Sequence, residues 1–204
     1  MRPLPRLFAF ADATVRTHPH LGSLAEAVSS VGPAAALVAH DPAASGGDLT
    51  TFAATLMLHT RSNEASLFVA GRPDIGAALG AQGLHLSRDD LSPRDARSIM
   101  PHAWIGVAVH SAVEGATAVE EGADYLIAGN IHATPSDPDY PGMGLGLIET
   151  LLSLGRPVIA TGGITPANVW DVKHAGAWGV AAVSALWKAP RPARMALEML
   201  EPWL

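Results

Sequence analysis

The sequence has no cysteine among its 204 residues, which removes disulfides, thiolate metal sites and cysteine nucleophiles together. Charge is scarce as well: 16% of the residues are charged and the formal net charge is −6. With a pI near 5.8, that balance argues against nucleic acid or an anionic membrane surface as a partner. No apolar run approaches the roughly 20 residues of a membrane span. The start, MRPLPRLFAFADA, is basic and ends in an A-x-A-like pattern, but its apolar run over residues 7–11 is too short for a signal sequence. A soluble cytoplasmic protein is expected.

What the chain does have is apolar surface. Nearly half its residues are hydrophobic (49%) and the mean hydropathy is +0.23, enough to fill a core. Short apolar runs alternate with helix-like stretches along the whole length. Strands are predicted over 7–10, 34–39, 67–70, 83–86, 104–109, 125–128, 157–160 and 179–183. They read as continuous apolar runs, as parallel strands covered on both faces do. Helices are predicted over 21–31, 49–58, 74–79, 93–100, 112–121, 147–154, 166–175 and 192–200. Eight strands each followed by a helix predict an α/β fold, a (β/α)8 TIM barrel in one domain over 1–204. An open doubly wound sheet is the alternative. Three junctions, LGAQGLHL, EGADYLIA and AGAWGVAA, place glycine where a helix ends and a buried strand begins.

Chemistry in such a barrel sits at the C-terminal strand ends and the loops after them. That selects Asp12, His40, Gly71, Asp90, His110, the loop at 130–144, Thr161, Gly162, Gly163 and Ser184. ATGGIT and AAVSALW follow the last two strands, where glycines let backbone N–H groups approach an anion and Ser184 adds a hydroxyl. The plainer alternative is a tight turn at Gly162 and Gly163 and a helix cap at Ser184. His85 is flanked by leucines, which predicts a hydrogen-bonded residue of the barrel interior. His132 lies on a loop, and imidazole titrates near neutral pH, so it is the first candidate for proton transfer. His110 and His40 stand in reserve. Asp90 raises a magnesium site, but the neighbouring strand end offers only Ala70 and Gly71. The simpler expectation is an acid at a helix start, with no metal.

These residues together resemble the thiamine phosphate synthase and TenI superfamily. The similarity is carried by LGAQGLHLSRDDL, IGVAVHSAVEGATAVEEGADYLIAG, NIHATPSD, VIATGGITPANV and GVAAVSAL, in family order over the last two-thirds of the chain. The resemblance implies a barrel that binds a phosphorylated thiazole through Gly162, Gly163, Val183 and Ser184. The threonines of the strand-six loop stand nearby. It also implies where the chain departs from the synthase pattern. LVAHDP replaces an arginine and lysine segment for a pyrimidine pyrophosphate, Ala70–Gly71 replaces an Asn-Asp pair, and Asp137 replaces a lysine. Losing charge-assisted bonds of about 1.5–3 kcal/mol each argues against pyrophosphate chemistry.

The TenI-like branch then becomes the expectation: a thiazole tautomerase, an isomerase without metal or cofactor, aromatising a thiazole carboxylate phosphate. His132 is expected as proton carrier, although the family histidine falls at the position of Asn130. Asn130, Thr134 and Ser136 are expected on the carboxylate. The alternatives are a magnesium-dependent thiamine phosphate synthase, or a non-catalytic barrel that binds thiazole phosphate. The expected partner is a small phosphorylated thiazole, with room for a homo-oligomer.

Overall fold

The computed structural model describes residues 2–134 and 141–204. Eight strands form: β1 (Leu7–Ala11), β2 (Ala35–Ala39), β3 (Ser66–Ala70), β4 (Gly83–Leu86), β5 (Trp104–Val109), β6 (Tyr125–Ala128), β7 (Val158–Thr161) and β8 (Gly179–Ala182). Each pairs in parallel with the next, and β1 pairs with β8 as well as β2, Leu7 facing both Ala35 and Val180. The sheet is therefore a closed barrel, and the open-sheet alternative falls.

The helices are α1 (Ala13–Arg16), α2 (Leu21–Ser29), α3 (Gly46–Ser62), α4 (Pro73–Leu79), α5 (Pro93–Ile99), α6 (Ala112–Glu120), α7 (Gly146–Leu152), α8 (Val169–His174), α9 (Ser184–Trp187) and α10 (Pro192–Leu200). Two of them, α1 and α9, lie in stretches expected as loop. Asp12 accepts from the N–H groups of Thr14 and Val15 and so starts α1 one residue past β1, the standard N-cap arrangement. α3 is longer than the expected 49–58 because Ser45 caps it, accepting from Asp48 N–H at 3.1 Å. α8 is shorter than 166–175 because Asn168 Oδ1 takes the Thr165 N–H at 2.8 Å and holds a turn there. The three glycine junctions behave as expected, with Gly80, Gly122 and Gly176 at φ of +66°, +97° and +95°.

Alternate strand residues divide the core in two. Inside the barrel, Phe8, Val38, Phe68, Tyr125, Ile127, Ile159 and Ala181 pack together. The intervening residues, among them Leu7, Leu37, Val69, Leu126, Val158 and Val180, face the helices. Two glycines make room for the interior rings. A Cβ at Gly83 would stand 2.0 Å from Phe68, and one at Gly106 1.9 Å from Tyr125. The buried Tyr125 hydroxyl donates to Leu84 O at 3.2 Å, which satisfies a group that would otherwise be costly to bury. No described helix is long and apolar enough to cross a membrane.

Candidate functional site: the mouth of the barrel

β7 runs into Gly162 and Gly163, with φ of +92° and +63°, a region open to glycine at no steric cost. A Cβ at Gly162 would stand 2.7 Å from Asn130 Cα. One at Gly163 would stand 2.5 Å from Ala133 O and 2.8 Å from His132 Cβ. The glycine pair thus lets the segment after β6 lie directly on the turn. Ile131 N–H donates to Thr161 O at 2.8 Å and His132 N–H to Gly162 O at 3.1 Å, which locks the contact. Among the described residues, the N–H groups of Gly163 and Ile164 find no acceptor within the chain. They are donors held in a fixed place, the kind an anion uses. Ser184 is not a cap. Val183 takes the cap position and Ser184 is the exposed first residue of α9, just past the end of β8. A cavity of about 430 Å³ adjoins it, lined by Ser184, Lys188, Trp187 and the start of α1.

The opposite side of the mouth is built from histidine and phenylalanine. His40 follows β2 and His85 lies in β4, and the Phe10 ring stands 5.8 Å from the first and 4.9 Å from the second, edge to face in both cases. His85 is 5% exposed. Burial, with His40 beside it, drops its pKa to about 3. Burial also lowers the His40 pKa, against the pull of Asp90, Asp12 and Asp41. Both rings are therefore neutral near pH 7, each with a buried Nδ1 that has no hydrogen-bond partner. The expectation of a hydrogen-bonded His85 is half right: it is interior, but its Nδ1 is unsatisfied. Such a nitrogen is expensive to leave bare and suited to a ligand.

His110 stands beside the end of β6, its Nε2 3.8 Å from where a Cβ on Gly129 would be. Its ring is 59% exposed, with Nδ1 3.5 Å from Glu114 Oε2, and its backbone N–H donates to the same oxygen at 2.7 Å. Arg88 holds the other oxygen of Glu114. The three expected proton carriers thus occupy three separate stations: His40 beside Phe10, His110 on the rim, and His132 packed on Gly163. The structure does bring Asn130, His132, Gly162 and Gly163 together, and Thr134 ends the described part of their loop. Ser136 and Asp137 lie outside the described residues.

The carboxylates near the mouth are already engaged. Asp12 caps α1 and also accepts from Thr14 Oγ1 at 2.6 Å. Asp41 is buried and paired with Arg16 at 2.7 Å. Asp90 Oδ2 accepts from Ser87 N–H at 2.7 Å. The helix-start role expected for Asp90 is incorrect, because Ser92 caps α5 and Asp95 fills its first turn. Asp90 closes a turn before that helix instead. Its Oδ1 lies 2.8 Å from where a Cβ on Gly71 would be, at a φ of +68°. Among the described residues, no three His, Asp or Glu side chains are placed to hold a metal ion. With no acid at Ala70 or Gly71 to pair with Asp90, the donor set is a poor fit for a resident divalent cation, which is commonly held by paired carboxylates.

Three cations at the strand ends escaped the sequence reading. Arg72 follows Gly71 and forks onto Asp74 at 2.8 and 2.6 Å, Arg88 follows β4, and Lys188 follows α9. Their signal was plain, since each lies within a few residues of a predicted strand end. Phe10, which joins the two interior histidines, was hidden inside an ordinary apolar run.

A family described as thiamine monophosphate synthase matches residues 8–186. The chain belongs to that family. It is 38% identical over 186 residues to a thiamine-phosphate synthase of Methanoculleus marisnigri, covering 88% of this chain and 86% of the relative. To the thiamine-phosphate synthase of Chlorobium phaeovibrioides it is 40% identical over 172 residues, 83% and 82% of the two chains. The solved thiamine phosphate pyrophosphorylase from Pyrococcus furiosus superposes with a TM-score of 0.82 at 29% identity, over 97% of this chain and 94% of that one.

These relatives overturn the expectation of a tautomerase and isomerase, because the family enzymes aligned along nearly the whole chain are synthases. Cations missing at 39–41, 70–71 and 137 do not exhaust the positive charge near the strand ends, since Arg72, Arg88 and Lys188 follow β3, β4 and α9.

Proposed function

We propose that this chain is a thiamine-phosphate synthase, joining a thiazole phosphate to a pyrimidine methylene group with release of pyrophosphate. The observation that carries the reading is the 38–40% identity to synthases over more than four-fifths of the chain. The N–H groups of Gly163 and Ile164 and the Ser184 hydroxyl would bind the thiazole phosphate, with Val183 against it. Asn130 and Thr134 would orient the ring, and Ser136 belongs to the same set.

In the joining step the thiazole nitrogen's lone pair forms the new C–N bond, and the C–O pair leaves with pyrophosphate. No proton moves in that step. His132, expected as a proton carrier, then acts as a wall of the phosphate turn. His110 and His40 likewise have no proton to transfer. Lys188, Arg72 and Arg88 supply positive charge around a leaving anion that is strongly negative. A bound magnesium ion would neutralise pyrophosphate charge.

The test is a product assay with thiazole phosphate and pyrimidine pyrophosphate, following thiamine phosphate and pyrophosphate together. Equal release of both is expected. Tight binding of thiazole phosphate with no product at any magnesium concentration would sink the synthase reading and leave a binding protein.

A further inference from the structure

We infer that this chain holds no divalent cation of its own at the mouth, and that Asp90 is a clasp for the loop after β4 rather than a metal ligand. The inference rests on the synthase reading in one respect: pyrophosphate is what would bring magnesium to this mouth.

Three observations point the same way. Asp90 accepts the Ser87 N–H at 2.7 Å, while Asp90 N–H donates back to Ser87 O at 3.2 Å. The two residues thus close one turn, a local bond typical of aspartate in loops. The other carboxylate oxygen lies over Gly71, at the strand end from which a second ligand would have to come. A Cβ there would stand 2.8 Å from it, at a φ that non-glycine residues rarely adopt. Ala70 and Gly71 carry no carboxylate at this strand end, and the Gly71 backbone disfavours any side chain there. Asp12 and Asp41 are committed to a helix cap and to Arg16.

The consequence concerns where a cation enters. Magnesium keeps several waters and is commonly held by one or two carboxylates plus substrate phosphates. With no carboxylate pair, any magnesium used here arrives as part of the pyrophosphate complex and leaves with it.

The test uses the full chain and Mn²⁺ alone, followed through the histidine ring proton signals by NMR. Mn²⁺ broadens protons close to its site. The His40 and His85 signals are expected to stay sharp through the titration, with only exposed histidines such as His18 and His20 affected. Saturable broadening of His40 and His85, abolished by Asp90→Asn, would overturn the inference. The asparagine keeps an acceptor for Ser87 N–H, so the loop should survive.

A second measurement compares the magnesium dependence of product formation in wild type and Asp90→Asn. Superimposable midpoints are expected. A shift of about tenfold or more, the least expected for damage to a metal site, would also overturn it. Absence of product under every condition removes the synthase reading, and the Mn²⁺ titration of the wild type still decides the inference.

Discussion

The two sides of the mouth solve different problems. On the β7–β8 side, Gly162 and Gly163 give up their side chains so that the segment 130–133 packs on the turn, which leaves backbone donors fixed in place. On the β1–β4 side, Phe10 packs against His40 and His85, whose imidazoles are neutral and whose Nδ1 atoms are buried. The first side is specified by backbone geometry. The second is specified by desolvation, which makes it sensitive to pH. The comparison teaches that one barrel end can hold a turn with fixed backbone donors and a pair of neutral imidazoles a few strands apart.

The largest effect expected from breaking that contrast is in acid stability. The folded His85 has a pKa of about 3, below its ordinary 6.5, so the unfolded chain binds the proton more readily. Stability from this group is complete above about pH 6.5 and drains as pH falls toward 3, by about 4–5 kcal/mol in all. His85→Leu should flatten the dependence of Tm on pH across that window. A variant curve that parallels the wild type would show that the histidine side is not the pH-sensitive half.

Next in size is the glycine turn. Gly163→Ala combines a strained φ with a contact to Ala133 O and should cost about 2–4 kcal/mol in urea unfolding. Gly155, also at positive φ (+70°) but with open space around it, should cost only about 1–2 kcal/mol on the same change. Equal losses at the two sites would mean that the packing of 130–133 on the turn contributes nothing.

Ser184→Ala sharpens the anion side alone. Thiazole phosphate binding by calorimetry should weaken about tenfold, the loss of one hydrogen bond to a charged group. Tm should not move, since the residue is exposed. The smallest effect is expected at Arg88→Ala. Its guanidinium is 77% exposed, so the ion pair with Glu114 is worth about 0.5 kcal/mol or less. A larger loss would place Arg88 among the groups that organise the mouth.

Much of the fold was legible in the chain. All eight strands fall within about a residue of their predicted ends, because a strand covered on both faces leaves an unbroken apolar run. α1 and α9 were missed because four residues are too few for a periodic pattern, and their starts depend on single residues at strand ends. The candidate site was legible on its glycine side, where the residue type itself announces special backbone geometry. It was illegible on the histidine side. Nothing local distinguishes His85 with an unsatisfied nitrogen from His85 with a partner, since partners come from other strands. The departures at 39–41 and 70–71 were overweighted, because the cations Arg72, Arg88 and Lys188 near other strand ends were left out.

The sequence by itself determined the βα alternation, the glycine turns after helices and after β7, and the family to which these patterns belong. Those features are written in local chemistry, in runs of apolar residues and in residues without a Cβ. Only the tertiary structure decided that the sheet closes, that Asn130 and His132 lie on Gly162 and Gly163, and that Asp90 faces Gly71. Each of these is a contact between strands or loops far apart in the chain, and its outcome depends on shape and burial that no single segment carries.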